Sequence, residues 1–296
     1  MKKSLLLLFI AAFLMNHATA RETESNEENV ITFAVGSYMI STMSEGGGDA
    51  NPALLKGTDE DMLKKYIPSG SFKIQTNTFL VKTGNKNVLI DTGYGSNVFT
   101  NLNSLDVQEN QVDVILLTHM HGDHIGGLLK DGKAAFPNAE LYVSQIEHDY
   151  WMSTENNANI RDIFEAYKSK LRLFEPVDIE SDKQNLFAGF QGIKAYGHTP
   201  GHTVFMIESG KERLLVWGDL VHATEIQMPN PKVTITYDVD ADMARESRLK
   251  IMEYVAKNKI RIGGMHIIFP SIGNIRVGNE AEGSYVFTPT CLCEGI

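Results

Sequence analysis

A chain of 296 residues, 43% of them hydrophobic and 22% charged, has the proportions of a folded globular protein and not of a disordered or coiled-coil one. Its 27 Lys plus Arg against 37 Asp plus Glu give a formal net charge of −10, and no basic cluster is longer than a pair, so nucleic acid is not an expected partner. Past residue 15 no apolar run approaches the roughly 20 residues of a bilayer crossing, so no transmembrane segment is expected in the mature chain.

Residues 1–20 read as a secretory signal: Lys2 and Lys3, an apolar run over 5–15, then Ala18-Thr19-Ala20 as a small-residue cleavage site. Cleavage there predicts a secreted or periplasmic chain starting at Arg21, and its charge becomes −12 because two lysines and no acids are lost. Residues 21–29 form an acidic leader. Residues 43–60, with three consecutive glycines and Asn51-Pro52, predict a long surface loop of the kind that often serves as a lid.

A helix is expected over 59–67, then strands over 74–81, 88–90 and 112–117. A helix over 125–129, a strand over 140–143 and helices over 144–152 and 160–171 follow. Strands over 203–208 and 214–217 precede a helix over 242–258, where Ala244, Ile251 and Val255 mark one face. The strands are continuously apolar, which predicts burial on both faces. The alternation predicts an α/β fold of sheets covered by helices, in a single domain over 21–296. Cys291 and Cys293 would close a very small, strained ring and read as two thiols in the tail.

The chemistry concentrates in Thr118-His119-Met120-His121-Gly122-Asp123-His124, directly after the strand over 112–117. In extended chain His119 and His121 point to the same side and can offer two imidazoles to one cation; Gly122 permits a sharp turn that redirects Asp123 and His124. Three imidazoles and a carboxylate packed together without a cation would be costly, so the pattern points to a metal site. Further donors stand at later strand ends or glycine-marked turns: His198 in Gly197-His198-Thr199-Pro200-Gly201-His202, Asp219 after Gly218, and His266 after Gly263-Gly264-Met265.

With Asp91-Thr92-Gly93, this set resembles the metallo-β-lactamase fold superfamily of hydrolases over about 74–270. The resemblance implies a four-layer αβ/βα sandwich, two mixed sheets flanked by helices, and two divalent metal ions, zinc first with manganese, iron or cobalt open. It makes His119, His121 and His198 the ligands of one metal, Asp123, His124 and His266 those of the second, and Asp219 the bridging carboxylate. The physical case agrees, because one carboxylate has two oxygens and can bind two cations about 3.5–4 Å apart. Asp123 and Asp219 are then the catalytic pair, Asp219 by touching both cations and Asp123 by orienting a hydroxide shared between them. Asp91 reads as a group that fixes a ligand loop.

An Asp at 219, where metal-dependent β-lactamases usually have another residue, often Cys, turns the reading away from that branch. The segments over 137–151, 218–248 and 266–273 look most like the methyl parathion hydrolase and lactonase branch. This implies a small-molecule substrate, an ester, lactone or phosphotriester, with a lactone or carboxylic ester favoured as the natural one. The alternatives are a glyoxalase II-like thioesterase, a β-lactamase, or a metal-containing binding protein without turnover. Trp151 is expected to bind substrate, with Tyr150, Met228 and Phe269 as further wall residues, and His222 is expected to line the same space. His202 and His148 read as structural. The oligomeric state stays open, a homodimer among the options.

Overall fold

The computed structural model describes residues 29–290 apart from 156, 280 and 282. The signal expected over 1–20, nearly all of the acidic leader, and Cys291 and Cys293 lie outside the described residues.

Two sheets carry the fold, and in each every strand lies beside its neighbour in the chain. The first contains β1 (Val30–Val35), β2 (Tyr38–Ala50), β3 (Phe72–Lys82), β4 (Asn87–Ile90), β5 (Val114–Leu116), β6 (Glu140–Ser144) and β7 (Leu171–Phe174). The second contains β8 (Phe190–Lys194), β9 (Thr203–Ser209), β10 (Glu212–Val216), β11 (Arg261–Gly263), β12 (Ile272–Val277) and β13 (Tyr285–Pro289). Strands β4 to β7 are mutually parallel, as are β10 and β11, and the remaining pairs are antiparallel. Both sheets are therefore mixed.

Alternation along the strands builds the layers. Phe79, Val81, Val88, Ile90, Val114 and Leu116 meet Phe205, Ile207, Leu214 and Val216 between the sheets. The intervening residues Leu80, Leu89, Ile115, Leu141 and Val143 face outward. They pack on α2 (Val98–Ser104) and α5 (Ala158–Tyr167) through Leu102, Ile160, Ile163 and Phe164. On the far side, Val204, Met206, Leu215 and Ile262 receive Ile251, Met252 and Val255 of α7 (Ala241–Asn258). That helix starts at Asp240, whose carboxylate accepts from Met243 N, and ends at Lys259 in the left-handed region. The result is the four-layer αβ/βα sandwich, and the central strands β4, β5 and β9 are buried on both faces. A smaller apolar cluster joins α1 (Glu60–Tyr66) to α6 (Thr224–Gln227) through Ile67, Phe72 and Ile226.

Two expectations fail in instructive places. Residues 43–60 are not a long loop: β2 runs to Ala50, Gly46, Gly47 and Gly48 pair with Thr76, Gln75 and Ile74, and a register shift lies between Ser44 and Gly46. A Cβ on Gly47 would lie 2.6 Å from the carbonyl oxygen of Ile74, so the glycine permits close strand approach here rather than a turn. Pro52–Leu54 then forms one 3₁₀ turn capped by Asn51, and Leu55–Lys56 forms a short ladder with Thr234–Ile235. The helix expected over 125–129 is a single turn, α3 (Gly122–Ile125), because Gly126 and Gly127 pack their backbones against the 92–94 segment and divert the chain. In addition, the helix expected over 160–171 ends at Tyr167, and Leu171 opens β7, which pairs in parallel with β6.

Phe79 is fully buried between the sheets. Phe79→Ala is expected to cost about 3–5 kcal/mol of stability, read from urea unfolding, through lost burial and the cavity left behind.

Candidate metal centre

The ligand residues sit at the carboxyl ends of parallel strands or in the loop that faces them. His119 follows β5, α3 carries Asp123 and His124, and His121 precedes it. His198 lies between β8 and β9, Asp219 follows β10 and His266 follows β11. Backbone bonds strap the loops together: Thr203 N donates to Thr118 O at 2.9 Å, and Trp217 N to Gly263 O at 3.0 Å. Asn77 on β3 holds the His266 loop, its amide donating to the carbonyls of Met265 and Ile267 at 2.8 Å each.

The outer nitrogens decide what the inner ones offer. His124 Nδ1 faces Asp91 Oδ2 at 2.7 Å, His198 Nδ1 faces Asp238 Oδ1 at 2.9 Å, and His266 Nδ1 faces the Gln75 carbonyl at 2.7 Å. Each partner can only accept, so each Nδ1 carries a proton, and it is Nε2 that faces inward and offers a lone pair once its own proton is displaced. Thr118 Oγ1 gives its own proton to Asp91 Oδ2 at 2.6 Å and is left to accept from His119 Nδ1 at 3.1 Å, which orients His119 in the same way.

The inward atoms converge on one another. His121 Nδ1 lies 2.9 Å from His119 Nε2 and 3.0 Å from His198 Nε2. Asp219 Oδ2 lies 3.0 Å from His198 Nε2 and 3.1 Å from His266 Nε2, while Asp219 Oδ1 stands 3.1 Å from His124 Nε2. That last pair is buried and neither atom makes a hydrogen bond. Asp123 Oδ2 completes the second group, 3.6 Å from His124 Nε2 and 3.5 Å from His266 Nε2. The ligating atoms of His119, His121, His198 and Asp219 lie within 4.8 Å of one another, as do those of Asp123, His124 and His266. Converging lone pairs of nitrogen and carboxylate oxygen are what divalent cations require, so this donor set fits a pair of them.

Charges in the cluster follow from its burial. Burial would raise Asp219, yet the imidazoles around it, His124 foremost, hold its carboxyl well below the usual range. Burial would lower His198, but Asp219 and Asp238 bring it up to about 9. His124 and His266 are raised for the same reason, and burial pushes His121 down to about 4. Buried His202, lowered to about 3, donates from Nδ1 to Ala195 O and accepts from Asp219 N at Nε2, locking the Asp219 turn as a neutral ring.

Residues outside the ligand set support the cluster. Asp238 orients His198 from 40 positions away, a separation that leaves no trace in local sequence. Asp91, at a positive φ of 56°, orients both His124 and Thr118. Glu147 on α4 (Gln145–Ser153) is buried and accepts four hydrogen bonds; burial raises its carboxyl. Its place four residues before Trp151, on one helix face, was the available signal.

A cleft of about 770 Å³ opens over the ligands. Ala50, Leu54 and Ile74 supply apolar wall, Tyr94 and Tyr237 aromatic edges, and Glu45 to Gly48 a bare backbone stretch. His222 lines this cleft, stacks on His266 with ring centroids 4.8 Å apart, and places Nε2 3.1 Å from Asp219 Oδ2. Trp151, Tyr150, Met228 and Phe269, expected as wall residues, are not among the residues lining this cleft. Trp151 stands edge-on to His121, ring centroids 5.9 Å apart, with its indole N–H donated to Glu147. Met228 and Phe269 line a separate apolar groove, and Tyr150 stacks edge-on against Trp151. His148 packs on Phe164, away from the cluster.

The description "Metallo-beta-lactamase superfamily" matches residues 72–258, and the chain belongs to that family. It is 24% identical over 75% of its length to the lactamase-like protein aptB of Emericella nidulans, of which it spans 63%. It is 45% identical to an atrochrysone carboxyl ACP thioesterase of Aspergillus chevalieri over 27% of each chain. Among solved structures, the hydrolase AbOPH of the beta lactamase superfamily superposes with a TM-score of 0.79 at 30% identity, covering 90% of this chain and 99% of that one. AidC, a dizinc quorum-quenching lactonase, gives 0.80 at 26% identity with the same coverage. The chain is thus a superfamily member with a lactonase among its structural neighbours and a thioesterase among its relatives, and it spans less than two thirds of the length of these two curated relatives.

Because the pKa of His198 is raised to about 9 without a cation, it keeps its proton at pH 7 and a cation must displace it. Apparent metal affinity is therefore expected to rise about tenfold or more per pH unit between pH 6 and 8 and to flatten above about 9. Competition against a chromophoric chelator measures this; affinity that ignores pH would mean these nitrogens are not ligands.

Proposed function

We propose that the chain is an exported, dinuclear metal-dependent hydrolase of small uncharged esters, with lactones as the preferred class and phosphotriesters as a side activity. The observation that carries this reading is the convergence of seven inward-facing ligand atoms at the floor of the cleft, with Asp219 reaching both groups, Oδ2 beside His198 and His266 and Oδ1 beside His124. Two divalent cations held there would acidify a shared water and polarise the substrate's carbonyl or phosphoryl oxygen. The leader pattern of residues 1–20 supports export.

The chain's own residues supply the rest. Asp123, one-fifth exposed at the cleft floor, is placed to accept a proton from the nucleophile and aim it. His222, lowered by burial to about 4, stays neutral at working pH and adds no charge where an ester must bind. Ala50, Leu54 and Ile74 offer apolar area to an acyl or aryl arm. The acidic surface disfavours polyanions during approach. The AidC likeness supports a lactone. A second reading, thioester hydrolysis, is favoured by the local identity to the Aspergillus chevalieri thioesterase.

Two metal ions per chain are expected by elemental analysis after saturation with zinc or manganese, and a ceiling of one would remove the dinuclear reading. Asp219→Ala should cut kcat at least 100-fold and loosen one metal or both, whereas His148→Ala should leave kcat and metal content within twofold. A panel of long-chain lactones, aryl esters, a phosphotriester, a thioester and a β-lactam under one metal condition ranks the classes by kcat/KM. A thioester or β-lactam leading by tenfold, about 1.4 kcal/mol of transition-state binding, would displace the lactone assignment.

A further inference from the structure

Glu147 lies on α4, 1% exposed, and none of its hydrogen-bond partners is a ligand side chain. Its two oxygens divide between the two loops that carry the first ligand group. Oε1 accepts from Met120 N at 3.0 Å and from Trp151 Nε1 at 2.6 Å. Oε2 accepts from Thr199 Oγ1 at 2.7 Å and from Gly201 N at 3.0 Å. Met120 stands between His119 and His121 in the loop after β5, in the first sheet. Thr199 follows His198 in the loop before β9, in the second.

One carboxylate therefore holds a loop from each sheet at a spacing set by its own covalent geometry. Four donors match the roughly four acceptor positions of an ionised carboxylate, which offsets the cost of burying its charge. A second observation fits the same role. A Cβ on Gly201 would overlap the backbone nitrogen of Glu147, so the second loop packs backbone against backbone on the first turn of α4. The Thr203–Thr118 backbone bond ties the same two loops further along, but it does not reach His121.

We propose that Glu147 is a positioning residue that sets the spacing of His121 and His198, 3.0 Å between their inward nitrogens, and with it the affinity of the cation site formed by His119, His121 and His198. The same carboxylate holds Trp151 against His121. This rests on the reading that those imidazoles ligate a cation. It predicts a selective effect: the group formed by Asp123, His124 and His266 makes no contact with Glu147 and keeps its affinity.

The test is stepwise Co2+ titration of the full chain, followed by visible absorption and by chelator competition. A His198→Ala reference shows which constant belongs to which site. Glu147→Gln keeps size but turns one acceptor oxygen into an amide donor that faces existing donors. The dissociation constant of the His119/His121/His198 site is expected to rise at least tenfold with an altered absorption band, while the other stays within threefold. Both constants within threefold of wild type would overturn the proposal. Thr199→Val removes one donor and leaves the carboxylate. It should weaken the same site three- to tenfold, and it decides the matter if Glu147→Gln does not fold; no change at that site would overturn the proposal. A wild-type chain that binds no cation removes the reading beneath the proposal and the proposal with it, an outcome distinct from wild-type binding that the variants leave untouched.

Discussion

The structure depends on one electrostatic arrangement: a buried carboxylate, Asp219, ringed by imidazole nitrogens that face it and one another. Asp219 stays ionised among them and raises His124, His198 and His266, so protons hold the cluster together until cations displace them. Everything around it keeps the rings from turning away. Asp91, Asp238, Thr118 and the Gln75 carbonyl each hold an outer nitrogen, so the inner nitrogen has one orientation left.

That arrangement explains why the site needs two sheets. A single strand end can present two side chains on one side, as His119 and His121 do, but not seven donors around a centre. Parallel strands β4 to β7 and the parallel pair β10 and β11 bring several carboxyl ends to one edge of the sandwich. The inter-sheet core then sets how far apart those edges stand, and polar ties such as Asn77, His202 and Glu147 convert that coarse distance into local geometry.

The cleft walls come from different elements from those that carry the ligands. The donors come from loops on both sheets, whereas the cleft walls come largely from β2, its glycine-rich end, and the 52–56 segment beside it. None of the seven ligands lies on β2. A family whose members include both lactonases and thioesterases is what such a division permits, since the walls vary while the floor persists.

The amino-acid sequence by itself determined the dense ligand motif, the alternation that makes a layered α/β fold, and the seven donors that the tertiary structure brings together. These are local signals: spacings of two to six residues, apolar runs, and glycine at turns. Only the folded chain decided which groups stand behind the ligands, because Asp238 lies 40 residues from His198 and Glu147 reaches 27 residues back and 54 forward. It also decided that Gly46 to Gly48 are strand and that Trp151 stands edge-on to His121, with its indole N–H held by Glu147. Glycine has no side chain to reveal a period of two, so its conformation was set by the neighbouring strand. The direction of an indole on a helix is set by the buried acceptor it finds, and such contacts are made in space, between segments whose separation along the chain carries no pattern.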